Sequence, residues 1–160
     1  MVETSVDVET RLAILDLYAA YVACLDDQRF EEWPAFFTGE CCYRIVPREN
    51  YERGLPLSLL AFESRGMLED RVYSITHTLF HAPYYQRHCV SNFAMRADAG
   101  GLRVSANYLV LRTKRGERSE VYSTGRCLDR IVRADDGLRF AEKVFVADSE
   151  LIPNSLIYPL

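Results

Sequence analysis

The hydrophobic rhythm of the chain changes partway along. In the first half, apolar residues recur every three or four positions. In the second half they alternate with polar ones. Leu12, Leu15, Ala19 and Val22 recur at helical spacing and predict an amphipathic first helix. Thr4, with Asp7 three residues on, is the expected cap. A break at Asp26–Asp27 precedes a short second helix carrying Phe30, Trp33 and Phe37, where Pro34 suits only a position near the start. The stretch CCYRIV (41–46) is a strand candidate, and residues 47–56 read as a charged loop. Residues 57–64 fit a strand or a helix. After Gly66, the stripe Leu68, Val72, Ile75 and Leu79 predicts a helix that Pro83 ends.

Four extended strands are expected at 87–97, 102–114, 118–134 and 138–148. In the second, Leu102, Val104, Ala106, Tyr108 and Val110 alternate with Arg103, Ser105 and Asn107. The connections DAGG (98–101), KRGE (114–117) and DDG (135–137) carry turn chemistry, so neighbouring strands should form an antiparallel meander. Helices first and strands second is an α+β layout: N-terminal helices packed on a curved antiparallel sheet, a cone with an apolar pocket. One domain spanning 1–160 is expected. The tail SELIPNSLIYPL (149–160) is apolar and interrupted by Pro153 and Pro159. It cannot be a helix, and it should be buried against this chain or another.

Composition narrows the classes. The chain is 49% hydrophobic and 26% charged, which fits a globular protein. A net charge of −4, with no basic run beyond RTKRGER (112–118), argues against nucleic-acid binding. The acidic start MVETSVDVET does not read as a signal peptide, and no apolar run is long enough to span a bilayer. Five cysteines without a C-x-x-C pair read as thiols of a reducing cytoplasm, with Cys41 and Cys42 on opposite strand faces.

Candidate chemistry centres on HTLFHAPYYQRH (77–88), which holds all three histidines. At about 100° per residue, His77 and His81 fall opposite the Leu68 stripe, with Asp70. Asp70 and His77 lie about 10 Å apart along a helix, too far to share one metal. The stretch HTLFH matches the spacing of a zinc-protease motif, but Thr78 stands where the general-base Glu belongs. His88–Cys89 is the only Cys–His adjacency, so a Rieske cluster has no ligand pairs here. Asp26 could act as a general base with His88 as its partner, although a helix cap is the plainer reading of Asp26. Trp33 and the tyrosines read as packing. Arg126, Arg130 and Arg133 read as a solvated strand face or as inter-subunit ion pairs.

Three stretches carry a family resemblance. They are LDDQRFEEWPAFFTGECCYRIVPRENYERG (25–54), MLEDRVYSITHTLFHAPYYQRHCVSNF (67–93) and TGRCLDRIVRADDGLRFAEKVFVADSELIP (124–153). The middle one is the most specific, with Asp70, Arg71, Arg87, His88, Ser91 and Asn92 in order. The chain resembles the small (β) subunit of aromatic-ring-hydroxylating dioxygenases, the Rieske non-haem iron oxygenases. PRENYERGLPLSLLAFES and DSELIPNSLIYPL look most similar to small subunits of salicylate 5-hydroxylase-type enzymes, then to those of anthranilate and terephthalate dioxygenases. The segment FHAPYYQRH departs from the family, which often has a Trp and a proline-rich turn there.

The resemblance implies a cone-shaped, NTF2-like (cystatin-like) fold and no cofactor in this chain. It implies a large (α) partner holding a Rieske [2Fe–2S] cluster and a mononuclear iron. The expected assembly is a trimer of small subunits within a hexamer, supplied with electrons by a ferredoxin or reductase. Interface candidates are Arg71, Arg87, His88, Arg126, Arg130, Leu151, Ile152, Pro153, Ile157 and Tyr158. The alternative is a stand-alone cone-fold lyase or isomerase using Asp26 and His88. It requires those side chains to meet in an apolar pocket open to solvent. A third reading is a ligand-binding or dimerisation module without chemistry.

Overall fold

The structure, a computed structural model, describes residues 4–151 and 156–160. A curved, unclosed seven-stranded sheet has the order β1-β4-β5-β6-β7-β2-β3. The strands are β1 (Thr4–Ser5), β2 (Phe37–Pro47), β3 (Leu60–Phe62), β4 (Tyr84–Asp98), β5 (Gly101–Lys114), β6 (Glu120–Ala134) and β7 (Gly137–Ala147). The meander β4 to β7 follows the alternating pattern and its turns. The sheet is not wholly antiparallel, because β2 runs parallel to β7.

Helix α1 (Val8–Asp26) is capped by Asp7 rather than Thr4. Asp7 Oδ1 accepts the Thr10 N–H at 2.9 Å, while Thr4 pairs with Ala97 as part of β1. The helix is apolar on two faces. Ile14, Tyr18, Tyr21 and Leu25 take the core, because the aromatic face has more area to bury. Of the stripe read from the sequence, Leu12, Leu15 and Ala19 face outward and are exposed, while Val22 is half-buried against the core.

Residues Phe30–Phe36 form a 3₁₀ segment with Pro34 inside it, and Phe37 opens β2. Trp33 is fully buried against Phe37 and Tyr43. The expected loop at 47–56 contains a short helix, α2 (Arg48–Glu52), braced by Arg48–Glu52 and Arg53–Glu49 ion pairs. The ambiguous 57–64 segment holds β3.

Helix α3 (Arg65–Tyr73) buries Leu68 and Val72 and is capped by the Ser64 hydroxyl. It closes in a π-helical turn, Ser74–Thr78, that buries Ile75. The helix therefore ends before Pro83. The hydroxyls of Ser74, Thr76 and Thr78 donate back to carbonyls one turn earlier, and Leu79 is already extended.

The core lies between the helices and one sheet face. Tyr18 packs edge-on to Phe93 and Phe140, at 5.1 and 5.4 Å. A smaller cluster of Val46, Val144 and Val146 occupies the opposite face.

Candidate functional site

Asp26 is the last residue of α1, and His88 faces inward from β4. Sixty-two positions apart in sequence, they meet. Asp26 Oδ1 accepts from His88 Nδ1 at 2.6 Å and from the His88 main-chain N–H at 3.1 Å. Arg87 points outward from the same strand, and its Nη1 approaches Asp26 Oδ2 at 3.4 Å. The pairing is therefore an anchor as well as a dyad. Along most of its length β4 is a sheet edge, since β1 pairs only with Arg96 and Ala97. Asp26 takes up one main-chain N–H of that edge, and Gln28 donates to the Tyr84 carbonyl at 2.9 Å. Further along, the β4 register shifts between Ser91 and Ala94, and Asn92 has φ of 56°, a conformation Asn tolerates. The run from Arg87 to Asn92 thus has a structural account: two residues hold α1 to the sheet, and a third bends the strand.

The dyad does not face a solvent-filled pocket. The Asp26 and His88 side chains are only 4% and 3% exposed. The larger clefts are lined by other residues. One of about 730 Å³ runs between α1 and the β6–β7 turn, lined by Leu17, Ala20, Phe36 and Leu138.

The chain's own residues 156–160 pack into the core between the helices and the sheet, with Tyr158 and Leu160 buried and Leu156 and Ile157 half-buried against them. The Tyr158 ring lies 4.3 Å from Tyr84 and 4.7 Å from Phe30, centroid to centroid. Its N–H donates to the Tyr84 hydroxyl at 3.1 Å. Leu160 is fully buried; its N–H donates to the Tyr43 hydroxyl at 2.9 Å, and its carbonyl accepts from Tyr21 at 2.5 Å. Arg71 Nη2 donates to the Leu156 and Ile157 carbonyls. Burial lowers the Arg71 pKa from its ordinary value. The same burial pushes up the hydroxyls of Tyr84 and Tyr158.

The histidines occupy separate surroundings. His77 is exposed and stacked on Tyr73, at 4.4 Å between ring centroids. His81 is not on the outward face of the preceding helix, because the helix has ended. It turns toward the tail, with Nε2 2.8 Å from the Tyr158 hydroxyl. Among the described residues, no three His, Cys, Asp or Glu side chains converge as a metal site would require.

Sequence reasoning missed a buried ionic cluster. Lys143 Nζ lies 2.7 Å from Asp129 Oδ2, and both side chains are at most 1% exposed. Tyr18 donates to the same carboxylate oxygen. The ammonium sits over four rings, those of Phe140, Tyr18, Tyr21 and Phe145, at 4.3 to 5.1 Å. Burial raises the Asp129 carboxyl against the opposing pull of Lys143, and raises the Tyr18 hydroxyl well above its usual value. The signal was present in CLDRI: Cys127, Asp129 and Ile131 alternate onto the core face.

The interface candidates divide. Arg71, His88 and Tyr158 have partners within the chain. Ile157 is half-buried. Arg87 and Leu151 are exposed, and Arg126 lies over the Tyr51 ring at 5.5 Å. Arg130 is half-exposed, in register between Arg103 and Glu142; Arg133 donates to the Thr10 hydroxyl at 2.9 Å. Ile152 and Pro153 lie outside the described residues.

Comparison with known proteins gives consistent matches. The family described as ring hydroxylating beta subunit matches residues 21–154. The small subunit of anthranilate 1,2-dioxygenase from Burkholderia cepacia is 36% identical over 155 residues, spanning 96% of each chain. A terminal oxygenase β subunit of terephthalate 1,2-dioxygenase from Comamonas is 30% identical, over 89% of this chain and 93% of its own. The crystal structure of the β subunit of a protein assigned to the aromatic-ring-hydroxylating dioxygenases, from Novosphingobium aromaticivorans, superposes with a TM-score of 0.85. It has 30% identity and covers 94% of this chain and 97% of its own.

Proposed function

The chain belongs to the ring hydroxylating beta subunit family, and from that premise we propose how it serves its enzyme. It is the small subunit of an aromatic-ring-hydroxylating dioxygenase complex, an oxidoreductase, and it partners a large oxygenase subunit. Its part is architectural: residues 1–160 act as one domain that buttresses the large subunit and carries no active site. The Rieske [2Fe–2S] cluster and the mononuclear iron belong to that partner and supply the redox chemistry. The small subunits form a trimer within a hexamer that works in the cytoplasm. A ferredoxin or reductase feeds it electrons. The exposed Arg87, Arg126 and Leu151 and the half-exposed Arg130 lie at subunit contacts.

The substrate is an aromatic acid, in a class that includes salicylate. Two relatives are named for anthranilate and terephthalate, and each of these is a carboxylated ring.

One observation carries the architectural reading. The space between helices and sheet, where a cone fold would hold a ligand, is occupied by Tyr158 and Leu160, and the Asp26–His88 pair is shut in. Nor do the three histidines gather into a ligand set. The stand-alone lyase or isomerase reading needs Asp26 and His88 open to solvent, and it is not favoured.

The test is activity with and without the partner. The isolated chain, supplied with dioxygen, reductant and an aromatic acid, should give no hydroxylated product. Adding the cognate large subunit and its electron-transfer proteins should give turnover. Product from a homogeneous, partner-free preparation would overturn the proposal.

A further inference from the structure

The outward stripe of α1 has a stricter pattern than an amphipathic helix needs. Val8, Leu12, Leu15, Ala19 and Val22 are spaced four, three, four and three apart. That is the a/d repeat of a coiled-coil seam: Leu12 and Ala19 at a, Val8 and Leu15 at d, with Val22 at the next d already half-buried against the core. Val8 is 73% exposed, Leu12 57% and Leu15 39%, and Ala19 is also exposed. A helix apolar on both faces is normally buried on both.

The charges beside the seam select the occupant. Arg11 falls at g and Asp16 at e, and both are exposed. In a parallel, in-register pair of identical helices, g faces the partner's e five residues on, which sets Arg11 against Asp16 of the neighbour. An antiparallel pair would set arginine against arginine and aspartate against aspartate. Parallel helices around one axis are also what closed cyclic symmetry produces.

We propose that the outward seam of α1 packs in parallel against α1 of further copies of this chain, forming the centre of the small-subunit trimer. This rests on the trimeric assembly proposed above. Each copy contributes the seam Val8, Leu12, Leu15 and Ala19, and each junction carries one Arg11–Asp16 bridge. The seam spans about two heptads. That is too short to hold alone, so it acts with contacts elsewhere on the subunit.

Sedimentation equilibrium of the isolated chain tests the proposal. The wild type should form a trimer, and Leu12→Glu should be monomeric at the same concentration with its thermal midpoint intact. Arg11→Glu and Asp16→Arg should each weaken association about tenfold or more, since an attraction becomes a repulsion at every junction. The double variant Arg11→Glu/Asp16→Arg should recover most of the wild-type association. A monomeric wild type would overturn the seam, and so would variants that sediment like a trimeric wild type. Loss of large-subunit capture by Leu12→Glu, with a monomeric wild type, would assign the stripe to the large subunit instead. Whether the wild type captures the large subunit at all bears on the family function and is read separately.

Discussion

Asp26 Oδ1 holds both the imidazole and the main-chain N–H of His88, at 2.6 and 3.1 Å, and so pins the end of α1 to the edge of the sheet. Removing the carboxylate leaves two buried donors unpaired. Asp26→Ala should cost about 2–4 kcal/mol in urea unfolding, and Asp26→Asn, which keeps an acceptor, should cost less. Turnover per assembled complex should be unchanged in either variant. A variant that assembles fully yet turns over slowly would make the pair catalytic.

The tail should behave as core. Leu160→Ala is expected to cost about 2–4 kcal/mol, as for any fully buried leucine. Arg71→Met should also destabilise, since the Leu156 and Ile157 carbonyls lose their donor. Denaturant midpoints measured on the isolated chain check both.

Lys143 and Asp129 should be strongly coupled. Breaking the pair at one end strands the other charge in the core, so Asp129→Asn or Lys143→Met alone should cost about 3–5 kcal/mol. The double variant Asp129→Leu/Lys143→Met should lose less than either single change. A double-mutant cycle in urea gives the coupling directly.

The same pair predicts a pH dependence. Burial raises the Asp129 carboxyl, and Lys143 opposes that rise. A carboxyl raised on folding adds stability that is complete below its unfolded pKa and fades as pH rises through its folded value. In Lys143→Met the opposing cation is gone. That variant should therefore be most stable in acid, near its ordinary carboxylate range, and weaken toward neutrality more than the wild type. A midpoint flat with pH in the variant would contradict this.

Gly125 allows β6 and β7 to approach. A Cβ there would collide with the Val146 carbonyl oxygen across the strand pair. Gly125→Ala should cost more than about 3 kcal/mol or yield insoluble protein, read from soluble expression and thermal midpoint.

The parts of this structure that the sequence revealed are those where one physical demand acts at a time. Strands β4 to β7 were legible because each buries one face, and alternation records that directly. Helix α1 was legible as a helix but not in its orientation. Two apolar faces compete there, and the choice depends on Tyr18 and Tyr21 meeting Phe140. The end of α3 was set by local hydroxyl back-bonding rather than by Pro83, which moved His81 off the helix and onto Tyr158. Asp26 and His88 were named as a pair from their chemistry and do meet, but their burial was not legible, since spacing along the chain does not place a helix end against a strand. The short helix α2 rests on surface ion pairs that leave no hydrophobic period.

The most direct test of the central claim is the intact mass of the assembly captured from native cells with this chain as bait. The account predicts an equimolar larger chain, a visible spectrum of a [2Fe–2S] cluster that follows that chain, and three copies of each. A colourless oligomer of this chain alone, unable to bind any larger oxygenase subunit, would contradict it.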